Sequence, residues 1–249
     1  MMAIAMPKAQ KLRLDQLLVE RGFVESREKA RALILAGQVL VDGQKSDKPG
    51  HGIAADSRVE VLERMPYVSR GGLKLAAALD HFAIDVTSRI CIDVGSSTGG
   101  FTDCLLQRGA DRVWAVDVGH GQLDWKLRND PRVEVREGLN ARYLKPADFP
   151  RPFDLAVCDA SFISTTLLIP AMVPLLAPDG AMVILVKPQF EVGRQQVGKG
   201  GIVRDPELHQ AACDRVRGAV EALGFRTEII ESPILGAEGN REFLLYARH

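Results

Sequence analysis

The nine residues Asp93 to Phe101 set three glycines and three hydroxyl side chains between an apolar run, 90–94, and a helical pattern, 102–108. Glycines at a strand-to-helix turn let the backbone bend tightly and approach a ligand closely. In doubly wound sheets, ligands bind outside the carboxyl ends of the strands. A second apolar run, 112–117, ends in Asp117, 22 residues after Gly95. An acid at that distance suits hydrogen bonding to the ribose hydroxyls of an adenosine cofactor. The spacing is Gly-x-x-x-Gly-Gly. It is neither the Gly-x-Gly-x-x-Gly of a dinucleotide site nor a phosphate loop with its Lys-Ser/Thr. A nucleoside cofactor without a pyrophosphate fits this pattern, which turns the expectation from NAD to S-adenosylmethionine. A purely structural tight turn is the competing reading. The expected cofactor contacts are Gly95, Ser96, Gly99, Gly100, Phe101 and Asp117. Asn140, after the third strand, joins them, although a helix cap or turn accounts for it equally well.

Two more apolar runs close on a charge: 155–159 on Asp159 and 181–187 on Lys187. A lone Asp or Lys at a strand end is ordinarily a solvated loop residue or half of a surface ion pair. Placed together at the carboxyl edge of one sheet, the two become candidates for a reaction centre. Asp159 would then sit between cofactor and target.

These residues need a scaffold, and the pattern supplies one. From Arg89 onward, strands (90–94, 112–117, 133–136, 155–159, 181–187, 226–232, 242–248) alternate with helices (102–108, 122–128, 208–223). Buried strands alternating with helices predict an α/β fold, a mostly parallel Rossmann-like sheet covered by helices on both faces. Upstream, 73–82 reads as a helix with an Ala/Leu face. Pro66, Ser69, Gly71 and Gly72 punctuate 63–73, the expected interdomain linker. The domain division expected is 1–62, the linker 63–73, and 74–249.

The block 11–62 reads as a small α+β domain. Leu14, Leu17 and Leu18 recur at helical spacing, and Gly22 follows as a stop. Ser26 caps a helix over 27–36 that Gly37 ends. Strands are expected at 39–41 and 58–62, with Asp42-Gly43 as a turn. So small a domain has little core and usually serves recognition. Formal net charge is zero over the 249 residues, but 1–74 carries +4 and 75–249 carries −4. That tilt is compatible with nucleic acid at the N-terminal end. Lys11, Arg13, Arg27, Lys29 and Arg31 are the expected phosphate contacts. The interspersed Glu20, Glu25 and Glu28 favour a solvated helix face instead.

The bulk properties exclude several classes. Cys91, Cys104, Cys158 and Cys213 have no spacing that makes a zinc site or a disulfide framework, so reduced thiols are expected. The start, MMAIAMPKAQ, is no signal peptide. The most apolar region, 161–186, is broken by Pro170, Pro174, Pro178 and Asp179, and a span needs about 20 uninterrupted apolar residues. A cytoplasmic protein is expected, without membrane or metal and as a monomer. His120 and Trp125 receive no role beyond packing.

Five motifs in order now carry a resemblance. The run Arg70-Gly-Gly-Leu-Lys-Leu, the loop Asp93-Val-Gly-Ser-Ser-Thr-Gly-Gly-Phe-Thr, Cys158-Asp-Ala-Ser-Phe-Ile-Ser, Val186-Lys-Pro-Gln-Phe-Glu and Gly239-Asn-Arg-Glu-Phe together resemble the TlyA family. That family is a branch of the FtsJ-like ribosomal RNA 2′-O-methyltransferases, often labelled haemolysin A. The block with Leu12-Arg-Leu-Asp-Gln-Leu-Leu, Ser26-Arg and Gly37-Gln-Val-Leu-Val-Asp-Gly resembles the alpha-L RNA-binding domain. The resemblance implies S-adenosylmethionine as methyl donor. It also implies cytidine ribose in ribosomal RNA or ribosomal subunits as target, with one or both subunits modified. It implies a Lys-Asp-Lys-Glu tetrad, which falls by motif on Lys74, Asp159, Lys187 and Glu242. Ser96-Ser97-Thr98 stands where the wider group tends to have Ala-Ala-Pro.

A ribose hydroxyl is a weak acid and must lose its proton as it attacks. A positioned base contributes roughly 10²–10⁴-fold, and alignment can supply about 7–11 kcal/mol of the barrier. Lysine acts as a base only when burial or a like charge favours its neutral form. Lys187 is therefore expected to take the proton. Lys74 would press it towards neutrality and orient the hydroxyl, Asp159 would fix it, and Glu242 would orient Lys74. A non-catalytic RNA-binding assembly factor on the same scaffold is the alternative. A membrane-active cytolysin lacks any span or basic amphipathic helix to work with.

Overall fold

The computed structural model describes residues 11–62, 65–236 and 238–249. The chain forms two compact units, Met1–Arg64 and Met65–His249. Residues 1–10 of the expected first domain and 63–64 of the expected linker lie outside the described residues.

The first unit contains β1 (Lys11–Arg13), α1 (Leu14–Glu20), α2 (Arg27–Leu35), β2 (Val39–Val41), β3 (Gln44–Lys45), β4 (Gly52–Ala54) and β5 (Val59–Val61). Leu14, Leu17 and Leu18 on α1 meet Ala30 and Ile34 on α2, with Val39, Ile53 and Val59 completing a small core. Ser26 Oγ accepts from the Lys29 amide at 3.2 Å, and Gly37 leaves the helix at φ +66°, the start and stop read from the sequence. β2 lies between β3 and β5, and β1 pairs with β4, all antiparallel. The sequence does not predict β1, β3 or β4, which lack the paired valines that mark β2 and β5.

The second unit runs α3 (Gly71–His81), β6 (Ile90–Val94), α4 (Gly100–Gln107), β7 (Arg112–Asp117), α5 (Trp125–Arg128), β8 (Val133–Glu137), β9 (Phe153–Cys158), α6 (Ile169–Met172), β10 (Leu176–Val186), α7 (Pro188–Glu191), α8 (Pro206–Glu221), β11 (Arg226–Glu231) and β12 (Phe243–Arg248). The sheet order is β11-β12-β10-β9-β6-β7-β8. β12 runs antiparallel to both neighbours, and the remaining pairs are parallel. Side chains alternate between faces. Cys91, Val113, Leu155, Val183 and Leu244 meet Leu75, Phe101 and Leu105 on one side. Ile92, Trp114, Ala156, Ile184 and Leu245 meet Met172, Val216 and Val220 on the other. This is the Rossmann-like fold the alternation predicts.

Two boundaries differ from expectation. α3 begins at Gly71, and Tyr67 and Val68 pack on the second unit's core, so 65–73 belongs to that unit rather than to a free hinge. The helix expected over 122–128 is only Trp125–Arg128, because Asp124 stays extended and caps it by accepting from the Lys126 amide at 2.8 Å. Among the described residues, no helix is long and apolar enough to cross a membrane.

Candidate active site

All strands that carry site residues end on one edge of the sheet. Asp93 and the glycine-rich loop close β6, Asp117 closes β7, Asp159 follows β9, and Lys187 follows β10. Antiparallel β12 starts at the same edge, which brings Glu242 there, and the first turns of α3 bring Lys74. Lys74, Asp159, Lys187 and Glu242 all line one cavity of about 720 Å³, together with Asp93 and the loop.

The four form two ion pairs. Lys74 Nζ donates to Glu242 Oε2, with the residues 8% and 3% exposed. Lys187, also 8% exposed, places Nζ 2.6 Å from Asp159 Oδ1, a contact whose angles leave that oxygen without an aligned hydrogen bond. Lys187 Nζ donates instead to Ser161 Oγ at 2.8 Å. Each lysine thus has its own carboxylate.

The loop is shaped by what presses on it. Gly95 has φ +82°, and a Cβ there would stand 3.0 Å from the Asp159 carbonyl oxygen and 3.1 Å from Ala160 Cα. A side chain at Gly95 would push the Asp159 segment off the site. Gly99, at φ +93°, turns its open side to Leu123 and Leu127, where a Cβ would come within 2.8 Å and 2.3 Å. Its part is conformational, and it lies outside the residues lining the cavity, unlike Gly95, Ser96, Gly100 and Phe101.

A second cavity of about 430 Å³ adjoins the first and shares Gly95, Ser97, Asp159, Ser161 and Phe162 with it. Asp117 and Asn140 line it. The Asp117 carboxylate accepts from the Ser97 amide at 2.8 Å and the Gly119 amide at 2.7 Å. Asn140 Oδ1 accepts from the Arg142 amide at 3.1 Å, so this residue caps a turn and also faces the cavity.

Sequence reading passed over Asp93 as a binding group. It is fully buried, and its Oδ2 accepts from the Thr102 amide at 2.9 Å and Thr102 Oγ1 at 2.7 Å. Among the described residues, its Oδ1 has no hydrogen-bond partner. Burial pushes its carboxyl up to about 7, against the Thr102 hydrogen bonds and with help from nearby Asp159. An orphaned buried carboxyl oxygen at a glycine-lined cavity fits a ligand that carries a cationic group. With Asp117 on the adjoining cavity, the pair of spaces fits a ligand with a nucleoside at one end and an ammonium at the other. The signal was there: a carboxylate inside the apolar run Ile90-Cys91-Ile92-Asp93-Val94. Gln189, whose Oε1 also has no hydrogen-bond partner among the described residues, lines the same cavity. Among the described residues, no three His, Cys, Asp or Glu side chains gather as a metal site would need.

The expected RNA contacts lie in the first unit, and all five are exposed. Arg13 binds Asp15 at 3.0 and 2.8 Å, and Arg27 binds the same carboxylate at 3.1 Å. Lys29 pairs with Glu25. Asp15 is itself buried and so fixes two half-exposed guanidiniums on one face.

A family model described as FtsJ-like methyltransferase matches residues 67–249, and an S4 domain model matches 12–59. The chain is 51% identical over 241 residues to a candidate rRNA methyltransferase, YqxC, of Bacillus subtilis, covering 96% of this chain and 86% of that protein. It is 46% identical over 243 residues to the 16S/23S rRNA (cytidine-2′-O)-methyltransferase TlyA of Mycobacterium tuberculosis, covering 96% and 91%. Among solved structures, a candidate hemolysin from Streptococcus thermophilus matches with a TM-score of 0.73 at 45% identity, over 96% of this chain and 89% of that one.

Proposed function

The chain belongs to the FtsJ-like methyltransferase family, and we propose that it transfers a methyl group from S-adenosylmethionine to the 2′-hydroxyl of a cytidine ribose in ribosomal RNA. The observation that carries this reading is the meeting of two lysine–carboxylate pairs at one cavity beside a glycine-rich loop. The relatives with matching length support the RNA target. The S4 domain over 12–59 supports an RNA grip, and a ribosomal substrate implies work in the cytoplasm.

Asp93 would face the ammonium end of the methyl donor, Asp117 its ribose, and Asn140 its base, while Gly95, Ser96 and Gly100 give the backbone close approach. The donor supplies a methyl already activated by the sulfonium. The chain must do the rest, which is to align a hydroxyl and remove its proton. Lys187 takes the 2′-hydroxyl proton as the oxygen attacks. Asp159 holds the Lys187 amine at the cavity wall. Lys74, tethered by Glu242, donates to the hydroxyl oxygen and sets its angle of approach. Exclusion of water from a site in which these side chains are nearly buried strengthens each of these contacts.

The test is direct. The protein is incubated with methyl-labelled S-adenosylmethionine and isolated small or large ribosomal subunits, and the modified nucleotides are mapped. Label on cytidine 2′-oxygens is the expected result, and the same map says whether one or both subunits are substrates. Cofactor binding without ribose methylation on either subunit would sink the reading and leave an RNA-binding protein on a methyltransferase scaffold.

A further inference from the structure

We propose that Ser161 is a positioning residue for Lys187, fixing the direction of the amine lone pair that receives the ribose proton. This rests on the reading of Lys187 as the base. A neutral lysine amine has two N–H bonds and one lone pair in tetrahedral arrangement. Two groups stand against the Lys187 nitrogen: Asp159 Oδ1 at 2.6 Å and Ser161 Oγ at 2.8 Å. Ser161 Oγ accepts one N–H in an aligned hydrogen bond, which stops rotation about the Cε–Nζ bond, and the nearby Asp159 carboxylate draws the second N–H to its own side, leaving one direction for the lone pair. Lys187, Asp159 and Ser161 all line the same cavity, so that direction is available to a substrate. With Asp159 alone, the amine turns about its Cε–Nζ bond and the lone pair spends most of its time elsewhere.

The backbone around Ser161 is built to hold this contact. The next residue, Phe162, has φ +65°, an uncommon conformation for a bulky side chain. Strain of this kind persists where the surroundings fix it. Two residues further on, the segment is anchored by Glu191, a carboxylate only 2% exposed on α7, four residues after Lys187. Its Oε1 accepts from the Thr165 amide at 2.7 Å and Thr165 Oγ1 at 2.8 Å, and its Oε2 accepts from Ser164 Oγ at 2.5 Å. The segment that carries Ser161 is thereby tied to the segment that carries Lys187 at a second point. Ser161 itself is exposed, so its replacement perturbs the fold little.

The experiment uses the full-length protein, S-adenosylmethionine and the ribosomal subunit that the wild type methylates, with Ser161→Ala, Ser161→Cys, Ser161→Thr and Lys187→Ala assayed side by side. Ser161→Ala is expected to lower kcat about tenfold, equivalent to roughly 1.4 kcal/mol of barrier, with both KM values within about twofold and the Tm unchanged. Ser161→Cys keeps the volume but is a poor acceptor, and matches Ser161→Ala. Ser161→Thr restores a hydroxyl and recovers most of kcat. A kcat for Ser161→Ala within twofold of wild type overturns the inference, as does a Thr variant no better than Ala, or a rise in KM with kcat unchanged. An inactive Lys187→Ala beside a normal Ser161→Ala removes only the role of Ser161. An active Lys187→Ala removes the base assignment itself, and this inference with it.

Discussion

Lys74 and Glu242, 168 residues apart in the chain, meet as a buried ion pair at the candidate active site. Breaking a buried pair by removing one partner leaves an uncompensated charge, at a cost of about 3–5 kcal/mol. Glu242→Ala is therefore expected to lower unfolding stability by that amount. The double variant Lys74→Met/Glu242→Leu recovers most of it, while methyl transfer is lost in both. Denaturant unfolding curves check the sign. A double variant less stable than Glu242→Ala would refute the argument.

Lys187→Ala is expected to reduce the single-turnover methyl transfer rate by roughly 10²–10⁴-fold, the range for loss of a positioned base. Cofactor affinity measured by calorimetry should stay within a few-fold, because Asp93 and the glycine-rich loop are untouched. Near-normal turnover would remove Lys187 from the chemistry.

Asp93 gives a pH signature. Its folded carboxyl titrates at about 7 against an ordinary value of 3.8, so between these two the folded state holds a proton that the unfolded chain has lost. The sign follows: the contribution is fully present below 3.8 and is lost as pH rises to about 7. The cofactor-free wild type should lose stability relative to Asp93→Asn over that window, read as the difference between two Tm-versus-pH curves. Parallel curves would contradict it. A cation bound beside Asp93 favours the carboxylate, so cofactor binding should release protons in the same window, detectable with buffers of different ionisation enthalpy.

Asp15 titrates in the opposite sense. The Arg13 guanidinium, and then Arg27, hold its carboxyl down at about 2. Its contribution is present above the ordinary value near 3.8 and is lost as pH falls towards 2. Asp15→Asn should raise the pH at which the first unit unfolds in acid, followed by circular dichroism.

RNA binding should report the charges one at a time. Arg27→Ala and Arg31→Ala, if each removes one phosphate contact, should lower the slope of log affinity against log salt by about 0.7–0.9 each. Filter binding of ribosomal RNA fragments across a salt series measures this. An unchanged slope assigns these residues to a solvated helix face.

The parts of the fold that the sequence reveals are those with a period or a special backbone. Ile90–Val94 and Arg112–Asp117 show as apolar runs, Ser26 and Gly37 as a helix start and stop, and Gly95 as a turn. Asp159 and Lys187 could be read as site residues because strand ends predict where ligands bind. Other features depend on contacts far along the chain and leave no local trace. The Glu191 bonds to Ser164 and Thr165 span 26 or 27 residues, and the Lys187–Ser161 bond spans 26. Glycine carries no sign of which side it opens on, and at Gly99 only the fold shows that the open side meets Leu123 and Leu127. Asp93 was hidden for another reason, since a burial cost in a strand signals function only when the partner of each oxygen is known.

The placement of β12 has a consequence for how the protein comes into being. It is made after β10 and β11, yet it lies between them in the sheet. Until Phe243–Arg248 has been made, those two strands have no common neighbour, and the Glu242 that precedes it is not yet fixed beside Lys74. Before β12 forms, β10 keeps one edge unpaired and β11 has no partner strand at all, and such edges invite pairing with another chain.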